Sequence, residues 1–233
     1  HVHEADDRAA CQEWVQRLGD AGWLRYVVTA EHGGAWDALD SRALVIIRET
    51  LSRFSPLADF AFAMQGLGSG AITLAGSAAQ QSHYLPAVAR GEMIATAESC
   101  TGGLVSALLT EIAGSSAVVD RGFVTYSNEA KQDLLGVPEA TLAAHGAVSE
   151  PTARAMAEGA LARSRVHVTV AITGIAGPGG GGADKPVGLV HFGCARRGGE
   201  TQTLEKRFGD LGRTQVRRAA LLCALDLLEA RLS

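Results

Sequence analysis

The chain has 233 residues, 47% of them hydrophobic, which is enough for one large domain or two small ones with a real core. Its net charge of −4 at pH 7 disfavours nucleic acid as a partner, because proteins that bind nucleic acid usually carry a basic face. No apolar run reaches the roughly 18 residues of a membrane span, and no signal-peptide pattern opens the chain, so we expect a cytoplasmic protein without a membrane partner.

The four cysteines are scattered along the chain and form no CxxC pair. This distribution is typical of reduced thiols rather than of a disulfide framework or a zinc site. His145 lies in a sequence typical of a turn, with no second histidine or carboxylate at the spacing of metal ligands. We therefore predict no metal site and no cofactor.

The first part of the chain predicts helices, because its apolar residues recur at helical spacing. All three tryptophans lie there. Glycines at 66, 68 and 70 weaken the third helix, and Pro86 interrupts the fourth. The predicted helices cover residues 9–18, 41–54, 57–74 and 80–89. The pattern favours a separate all-α module over residues 1–92.

From residue 93 onward strands alternate with helices. The strands are predicted at residues 93–97, 117–126, 166–173, 187–195 and 201–208. The helices are predicted at residues 103–112, 128–135, 150–164 and 214–232. Strands interleaved with helices are typical of a layered α/β domain, here over residues 93–233.

A turn with a possible nucleophile follows the first predicted strand. Ser99 lies directly after an apolar run and before a helical pattern, and its alternative interpretation is a helix N-cap. The backbone amides of Gly102 and Gly103 would lie at the N-terminus of the helix, where they could stabilise an oxyanion. Cys100 has no evident activating neighbour and is interpreted as a core residue.

Tyr126 and Lys131 are five positions apart across the end of a strand and the start of a helix, so both could point to the same sheet edge. A lysine that is neutral because burial lowers its pKa can deprotonate a serine, and a tyrosine hydroxyl can relay the proton. For an isolated lysine, a solvated side chain paired with Glu129 or Asp133 is the alternative. Ser127 is a further possible partner of Lys131 on one helical face.

Residues 173–188 form a glycine-rich segment that would let backbone amides approach a phosphate or a carboxamide. Residues 177–182 formally match GxGxxG. The dinucleotide-binding interpretation fails because no helix follows the motif. A flexible linker remains the alternative to a ligand-binding loop.

Four ordered motifs carry a family resemblance: AESCTGG at 97–103, VTYSNEAK at 124–131, HGAVSE at 145–150 and TGIAGP at 173–178, the last followed by KPVG at 185–188. With them, the chain from about residue 94 to the end resembles the CinA C-terminal family, the nicotinamide-nucleotide amidases. The resemblance implies an α/β/α amidase domain with a mixed sheet, commonly in a homo-oligomer.

The same resemblance implies that Ser99, Tyr126 and Lys131 are catalytic. It implies substrate contacts from a second set of residues, comprising Thr101, Gly102, Gly103, Thr173, Gly174, Lys185 and Arg213. Arg213 follows a longer GDLGR spacing than the shorter Gly-Asp-Arg form of the family, which leaves its role open.

The first part resembles the N-terminal helical domain of acyl-CoA dehydrogenases. The matching strings are GWL at 22–24, AEHGG at 30–34, YLP at 84–86 and RGE at 90–92, with the glycine-spaced helix around 66–76. The match stops where a flavin-binding β domain would begin, so the dehydrogenase chemistry does not carry over. Its last helix takes the place of the helix that normally leads into the first strand of a CinA-type amidase.

These observations predict hydrolysis of the carboxamide of nicotinamide mononucleotide, a small-molecule nucleotide, to nicotinate mononucleotide and ammonia. Two alternatives stay open. The chain could be a non-catalytic interaction or scaffold protein, or a fragment of an acyl-CoA dehydrogenase without flavin chemistry.

Overall fold

The computed structural model describes residues 4–111, 115 and 118–232. The chain divides into two compact units, one formed mainly by the residues up to Met93 and the other mainly by the residues from Ile94 onward. Each unit has buried apolar side chains of its own. Within the described ranges, no helix combines the length and the apolar character that crossing a membrane requires.

The first unit is helical. It contains α1 (Glu4–Asp20), α2 (Ser41–Phe54), α3 (Pro56–Ala75) and α4 (Ala78–Ala89), with short 3-10 helices at Trp23–Val27 and Ala30–His32. Side-chain caps fix three of the helix starts, because Asp40, Ser55 and Ser77 each accept hydrogen bonds from backbone amides of the following helix. The local sequence therefore sets where α2, α3 and α4 begin.

Two predicted weak points of these helices do not break them. Helix α3 is continuous through its glycines, and a Cβ at Gly66 would come within 3.2 Å of the Val27 side chain. Glycine there allows close packing rather than a break. Pro86 lies inside α4, which continues to Ala89, so the predicted interruption is wrong. A proline removes one backbone hydrogen bond, and the buried neighbours Leu85, Ala87 and Val88 hold this segment in place.

The second unit contains a five-stranded sheet. Its strands are β1 (Ile94–Glu98), β2 (Val119–Val124), β3 (Val168–Gly174), β4 (Leu189–Arg196) and β5 (Gln202–Arg207). Its helices are α5 (Leu104–Thr110), α6 (Asn128–Leu135), α7 (Glu139–His145), α8 (Glu150–Ala162) and α9 (Arg213–Leu232). Helix α7 has no counterpart among the sequence-based predictions, because its seven residues are too few to show a clear apolar period.

The strand order is β2-β1-β3-β4-β5. Strand β1 pairs parallel to β3, with Glu98 opposite Ile172, whereas β3 with β4 and β4 with β5 are antiparallel. The sheet is therefore mixed, as the resemblance implied. The central strands β1, β3 and β4 are buried along almost their whole length.

Helices cover both faces of this sheet. A Cβ at Gly193 would come within 2.4 Å of the carbonyl oxygen of Ala153 in α8. The next residue, Cys194, has its Sγ 3.9 Å from the carbonyl oxygen of Leu227 in α9. Because neighbouring strand residues point to opposite faces, α8 and α9 lie on opposite sides of β4. This arrangement confirms the layered α/β/α class.

Candidate active site

The Ser99 turn, residues 99–103, connects β1 to α5. The amide of Ser99 donates to the carbonyl oxygen of Ile172 at 2.9 Å, which extends the pairing of β1 with β3 to this residue. Gly102 and Gly103 have φ values of +60° and +95°, a left-handed conformation that favours glycine. Gly103, not Ser99, is the N-cap of α5. The N-cap interpretation of Ser99 is therefore wrong, and its hydroxyl is available for another contact.

That contact is with Lys131. The Nζ atom of Lys131 lies 3.1 Å from Ser99 Oγ, 2.9 Å from the carbonyl oxygen of Thr125 and 3.3 Å from that of Ser127. Lys131 is only 1% exposed. The solvated-lysine alternative is therefore wrong.

The hydrogen-bond partners of Lys131 are compatible with a neutral amine as well as with an ammonium. The two carbonyl oxygens can only accept hydrogen bonds, whereas the hydroxyl of Ser99 can also donate one. A neutral amine offers two N–H donors and one lone pair, which matches two carbonyls and one hydroxyl. Burial lowers the pKa of Lys131, an effect that the charge of Glu129 partly opposes. The contacts suit either form, because an ammonium would donate to all three oxygens, so burial is the observation that favours the neutral amine.

Two neighbouring side chains have other roles. The hydroxyl of Ser127 caps α6 by accepting from the amide of Ala130 at 3.0 Å, so the contact of this residue with Lys131 is through its backbone oxygen. Burial raises the pKa of the Cys100 thiol to about 12. Since the thiolate is the reactive form, Cys100 is an inert core residue.

The amides of Gly102 and Gly103 are already bound. The Gly102 amide donates to the carbonyl oxygen of Ser99 at 3.0 Å, and the Gly103 amide donates to Glu98 Oε2 at 3.0 Å. The prediction that these two amides stabilise the oxyanion is therefore wrong, because each N–H already has an acceptor within the protein. Contact of either glycine with a substrate through other atoms stays a prediction.

Tyr126 and Arg213 form a second cluster. Arg213 donates from Nη2 to the Tyr126 hydroxyl at 3.0 Å and from Nη1 to the carbonyl oxygen of Gly177 at 3.1 Å. Tyr126 is 62% exposed, and none of the described hydrogen bonds of Lys131 involves it. The structure therefore places the tyrosine beside Arg213 and the glycine-rich segment, and its role in proton transfer stays a prediction.

Two of the predicted substrate residues, Thr173 and Lys185, contact the segment 145–148. Thr173 Oγ1 donates to the carbonyl oxygen of Ala147 at 2.7 Å, and Lys185 Nζ donates to that of His145 at 2.6 Å. Lys185 also lines a cavity of about 560 Å³, together with residues 146–148, Ile175 and 180–184. The glycine-rich segment thus borders a cavity of a size suited to a small ligand.

Two other predicted substrate residues, Gly174 and Thr101, make contacts within the protein. A Cβ at Gly174 would come within 2.7 Å of the Val190 side chain on β4, so glycine is needed for the approach of the two strands. Thr101 is fully buried, and its carbonyl oxygen accepts from Arg217 Nη2 at 2.7 Å. Substrate contact by either residue stays a prediction.

Comparison with known proteins identifies the family. The model of the CinA C-terminal domain matches residues 77–232, and the model of the acyl-CoA dehydrogenase N-terminal domain matches residues 1–92. The chain belongs to the CinA C-terminal domain family. Both resemblances seen in the sequence are confirmed. The two matches overlap over residues 77–92, which include α4. Helix α4 therefore fits the pattern of both families, including the helix that leads into the first strand of a CinA domain.

Relatives of this CinA-family chain include the nicotinamide-nucleotide amidohydrolase PncC of Escherichia coli strain K12, which is 56% identical over 60% of the chain and 84% of PncC. A CinA-like protein of Anaeromyxobacter dehalogenans is 55% identical over 62% of the chain, but only 35% of that protein is matched. The chain spans about a third of the length of such longer curated relatives. The competence/damage inducible protein CihA from Agrobacterium tumefaciens is a solved structure with 54% identity and a TM-score of 0.61, covering 72% of this chain and 94% of CihA.

Two charged residues of the CinA domain contact the Ser99 turn and were given no role from the sequence. Glu98 ends the buried strand β1, and Arg217 lies one helical turn after Arg213 on α9. A charged residue at the end of an otherwise apolar strand is a signal that could have identified Glu98. Arg217 gives no such signal, because only the fold brings α9 to the turn. In the described part of the chain, no three histidine, cysteine or acidic side chains come together as metal ligands.

Proposed function

We propose that the chain is an amidase that hydrolyses the carboxamide of nicotinamide mononucleotide, with Ser99 as the nucleophile and Lys131 as its general base. The observation that carries the proposal is the buried amine of Lys131 at 3.1 Å from Ser99 Oγ. The substrate class comes from the amidohydrolase PncC, to which the CinA domain is 56% identical.

The proposed reaction begins when Ser99 Oγ attacks the carboxamide carbon and its proton passes to Nζ of Lys131. The resulting ammonium of Lys131 protonates the amide nitrogen, and the C–N bond breaks. Ammonia leaves, and the acyl group remains covalently bound to Ser99 Oγ. Water then attacks the acyl carbon and gives a proton to Lys131, which returns it to Ser99 Oγ. The product is nicotinate mononucleotide, and the enzyme is restored.

Arg213 and Lys185 are the proposed contacts for the phosphate of the nucleotide. Lys185 lies within the glycine-rich segment 173–188 and donates to the carbonyl oxygen of His145. Arg213 donates to the carbonyl oxygen of Gly177 in the same segment. A guanidinium group binds phosphate through two parallel N–H donors. This geometry favours Arg213 for orienting the nucleotide end of the substrate, away from the reacting carboxamide.

The test is ammonia release from nicotinamide mononucleotide by the full chain, with wild type and Ser99→Ala measured together. Since removal of a catalytic serine can lower kcat by about 10⁶-fold, we expect no turnover above background in the variant. Ser82→Ala, at an exposed position on α4, is the matched control and should keep the turnover of wild type. A folded wild type that releases no ammonia, or a Ser99→Ala protein as active as wild type, would refute the proposal.

A further inference from the structure

The carboxylate of Glu98 is fully buried directly before the nucleophile. Its Oε2 accepts from the amides of Gly103 and Val105, and its Oε1 accepts from the amide of Ser106, all within 3.1 Å. The hydroxyls of Ser106 and Thr96 lie 3.0 and 3.2 Å from Oε1 and 2.5 Å from each other, so one of them donates to the carboxylate and the other donates to its neighbouring hydroxyl. A buried carboxylate is costly unless it is hydrogen-bonded, and here three backbone amides and a hydroxyl compensate it.

This network connects the two ends of the Ser99 turn. Glu98 is the last residue of β1, and its side chain binds the residues with which α5 begins. Strand β2 packs closely over the network, because a Cβ at Gly122 would come within 2.1 Å of Ser106 Oγ. The turn therefore starts and ends at positions fixed by one side chain.

Arg217 holds the middle of the same turn. Its Nε donates to the carbonyl oxygen of Cys100 at 3.1 Å, and its Nη2 donates to that of Thr101 at 2.7 Å. In a planar trans peptide the carbonyl and the following amide point in opposite directions. By fixing the Cys100 carbonyl, Arg217 thus also fixes the direction of the Thr101 amide.

We infer that Glu98 and Arg217 are positioning residues that hold the Ser99 turn from two sides. The carboxylate of Glu98 binds the amides at the end of the turn, and the guanidinium of Arg217 binds the carbonyl oxygens in its middle. The inference rests on the proposed amidase function. In the described ranges, no acceptor is found for the amide of Thr101, whose direction the bond from Arg217 to the Cys100 carbonyl sets. The Thr101 amide therefore takes the place of the Gly102 and Gly103 amides as the inferred donor for the oxyanion.

The test uses Glu98→Gln and Arg217→Lys in the full chain. Glutamine has the size of glutamate, but it places an NH2 group against amide donors, so one side of the network fails. Lysine keeps the charge of Arg217 but cannot bind two carbonyls in a fork. Because a misplacement of about 1 Å can cost about 10²-fold in rate, we expect kcat to fall about 10²-fold in Glu98→Gln with KM changed less than about twofold.

Arg217→Ala should lower kcat per folded protein further than Arg217→Lys, because lysine can still donate to one of the two carbonyls. The matched controls are Glu158→Gln and Arg218→Ala, because both residues are exposed and Arg218 is the neighbour of Arg217 on α9. Rates are divided by the amount of folded protein measured by circular dichroism. If Glu98→Gln keeps the kcat of wild type, or if all losses vanish after this correction, the inference is overturned.

A second readout separates this inference from the proposed substrate. The rate at which a serine-reactive fluorophosphonate labels Ser99 needs no knowledge of the amide. We expect labelling to slow in Glu98→Gln and in Arg217→Ala, but not in the controls, even if wild type releases no ammonia from nicotinamide mononucleotide. Equal labelling rates in all variants, or no labelling of wild type at Ser99, would overturn the positioning role, whereas ammonia release alone decides the substrate.

Discussion

Lys131 Nζ lies 3.1 Å from Ser99 Oγ although 32 positions separate the two residues in the chain. Ser99 is held after β1 and Lys131 lies on α6, and the lysine is buried with two carbonyl oxygens as its other partners. Burial makes the charged form of the lysine unfavourable, and the free amine is the form that can take the proton of Ser99. The low exposure of Lys131 is therefore directly connected to the proposed chemistry.

The pH dependence of the proposed amidase reaction should reflect the titration of Lys131. Burial lowers the pKa of this amine, so the reactive neutral form appears at lower pH than for an ordinary lysine, whose pKa is about 10.4. We expect kcat/KM for nicotinamide mononucleotide to rise with pH through an apparent pKa below that value. Measurement of ammonia release between pH 6 and pH 10 checks this. A rate that rises only at the pKa of an exposed lysine would contradict the proposed role.

The stability of the protein should depend on pH through the same group. Since the pKa of Lys131 is lower in the folded than in the unfolded state, the unfolded chain binds more protons between the two pKa values. The cost of burying this lysine is therefore present at low pH. It is lost as the pH rises through the folded-state pKa toward about 10.4.

Lys131→Met removes this titration. We expect the free energy of unfolding of wild type to increase relative to Lys131→Met as the pH is raised through this window. Urea unfolding at several pH values measures the difference, and Lys206→Met, at an exposed position on β5, is the control. A difference that stays constant or decreases with pH would show that Lys131 is not desolvated in the folded state.

The sequence predicted more of the fold than of the site. The strands and most helices of the second unit follow from apolar periodicity, which local side chains determine. The contacts of the site depend on long-range packing: Tyr126 bonds to Arg213, 87 positions away, and Arg217 bonds to Cys100, 117 positions away. The charged Glu98 is visible in the motif, but the sequence does not give its role. Only the folded structure shows that its carboxylate accepts the hydrogen bond from the Gly103 amide.

Arg213 should affect binding of the phosphate more than the chemical step. Its guanidinium contacts Tyr126 Oη and the Gly177 carbonyl oxygen, and no described bond joins it to Ser99 or Lys131. We expect Arg213→Ala to raise KM for nicotinamide mononucleotide about tenfold or more with a smaller change in kcat, because it removes binding shared by substrate and transition state. Each factor of ten corresponds to about 1.4 kcal/mol of lost interaction.

The phosphate-free nicotinamide riboside tests the origin of this effect. Arg213→Ala should leave kcat/KM for the riboside nearly unchanged, and Tyr126→Phe should give a smaller effect on KM because the guanidinium itself remains. Equal losses for the two substrates would show that Arg213 does not bind the phosphate. A fall in kcat alone in Tyr126→Phe would instead support proton transfer by the tyrosine.

The helical unit has its own core, and Phe62 on α3 is its largest fully buried side chain. Phe62 is 1% exposed, whereas Phe60, two positions earlier on the same helix, is 54% exposed. Removal of a buried phenyl group costs its transfer free energy and leaves a cavity, together about 3–5 kcal/mol. We expect Phe62→Ala to lower the free energy of unfolding of this unit by about that amount, and Phe60→Ala to change it by less than about 0.5 kcal/mol.

Tryptophan fluorescence can follow this unfolding in the full chain, because Trp14, Trp23 and Trp36 all belong to the helical unit. A urea titration of wild type and the two variants should show an early fluorescence transition only for Phe62→Ala. If the two alanine variants unfold at the same urea concentration, Phe62 does not contribute to a packed core. Since both changes remove the same phenyl group from one helix, helix propensity cannot account for a difference between them.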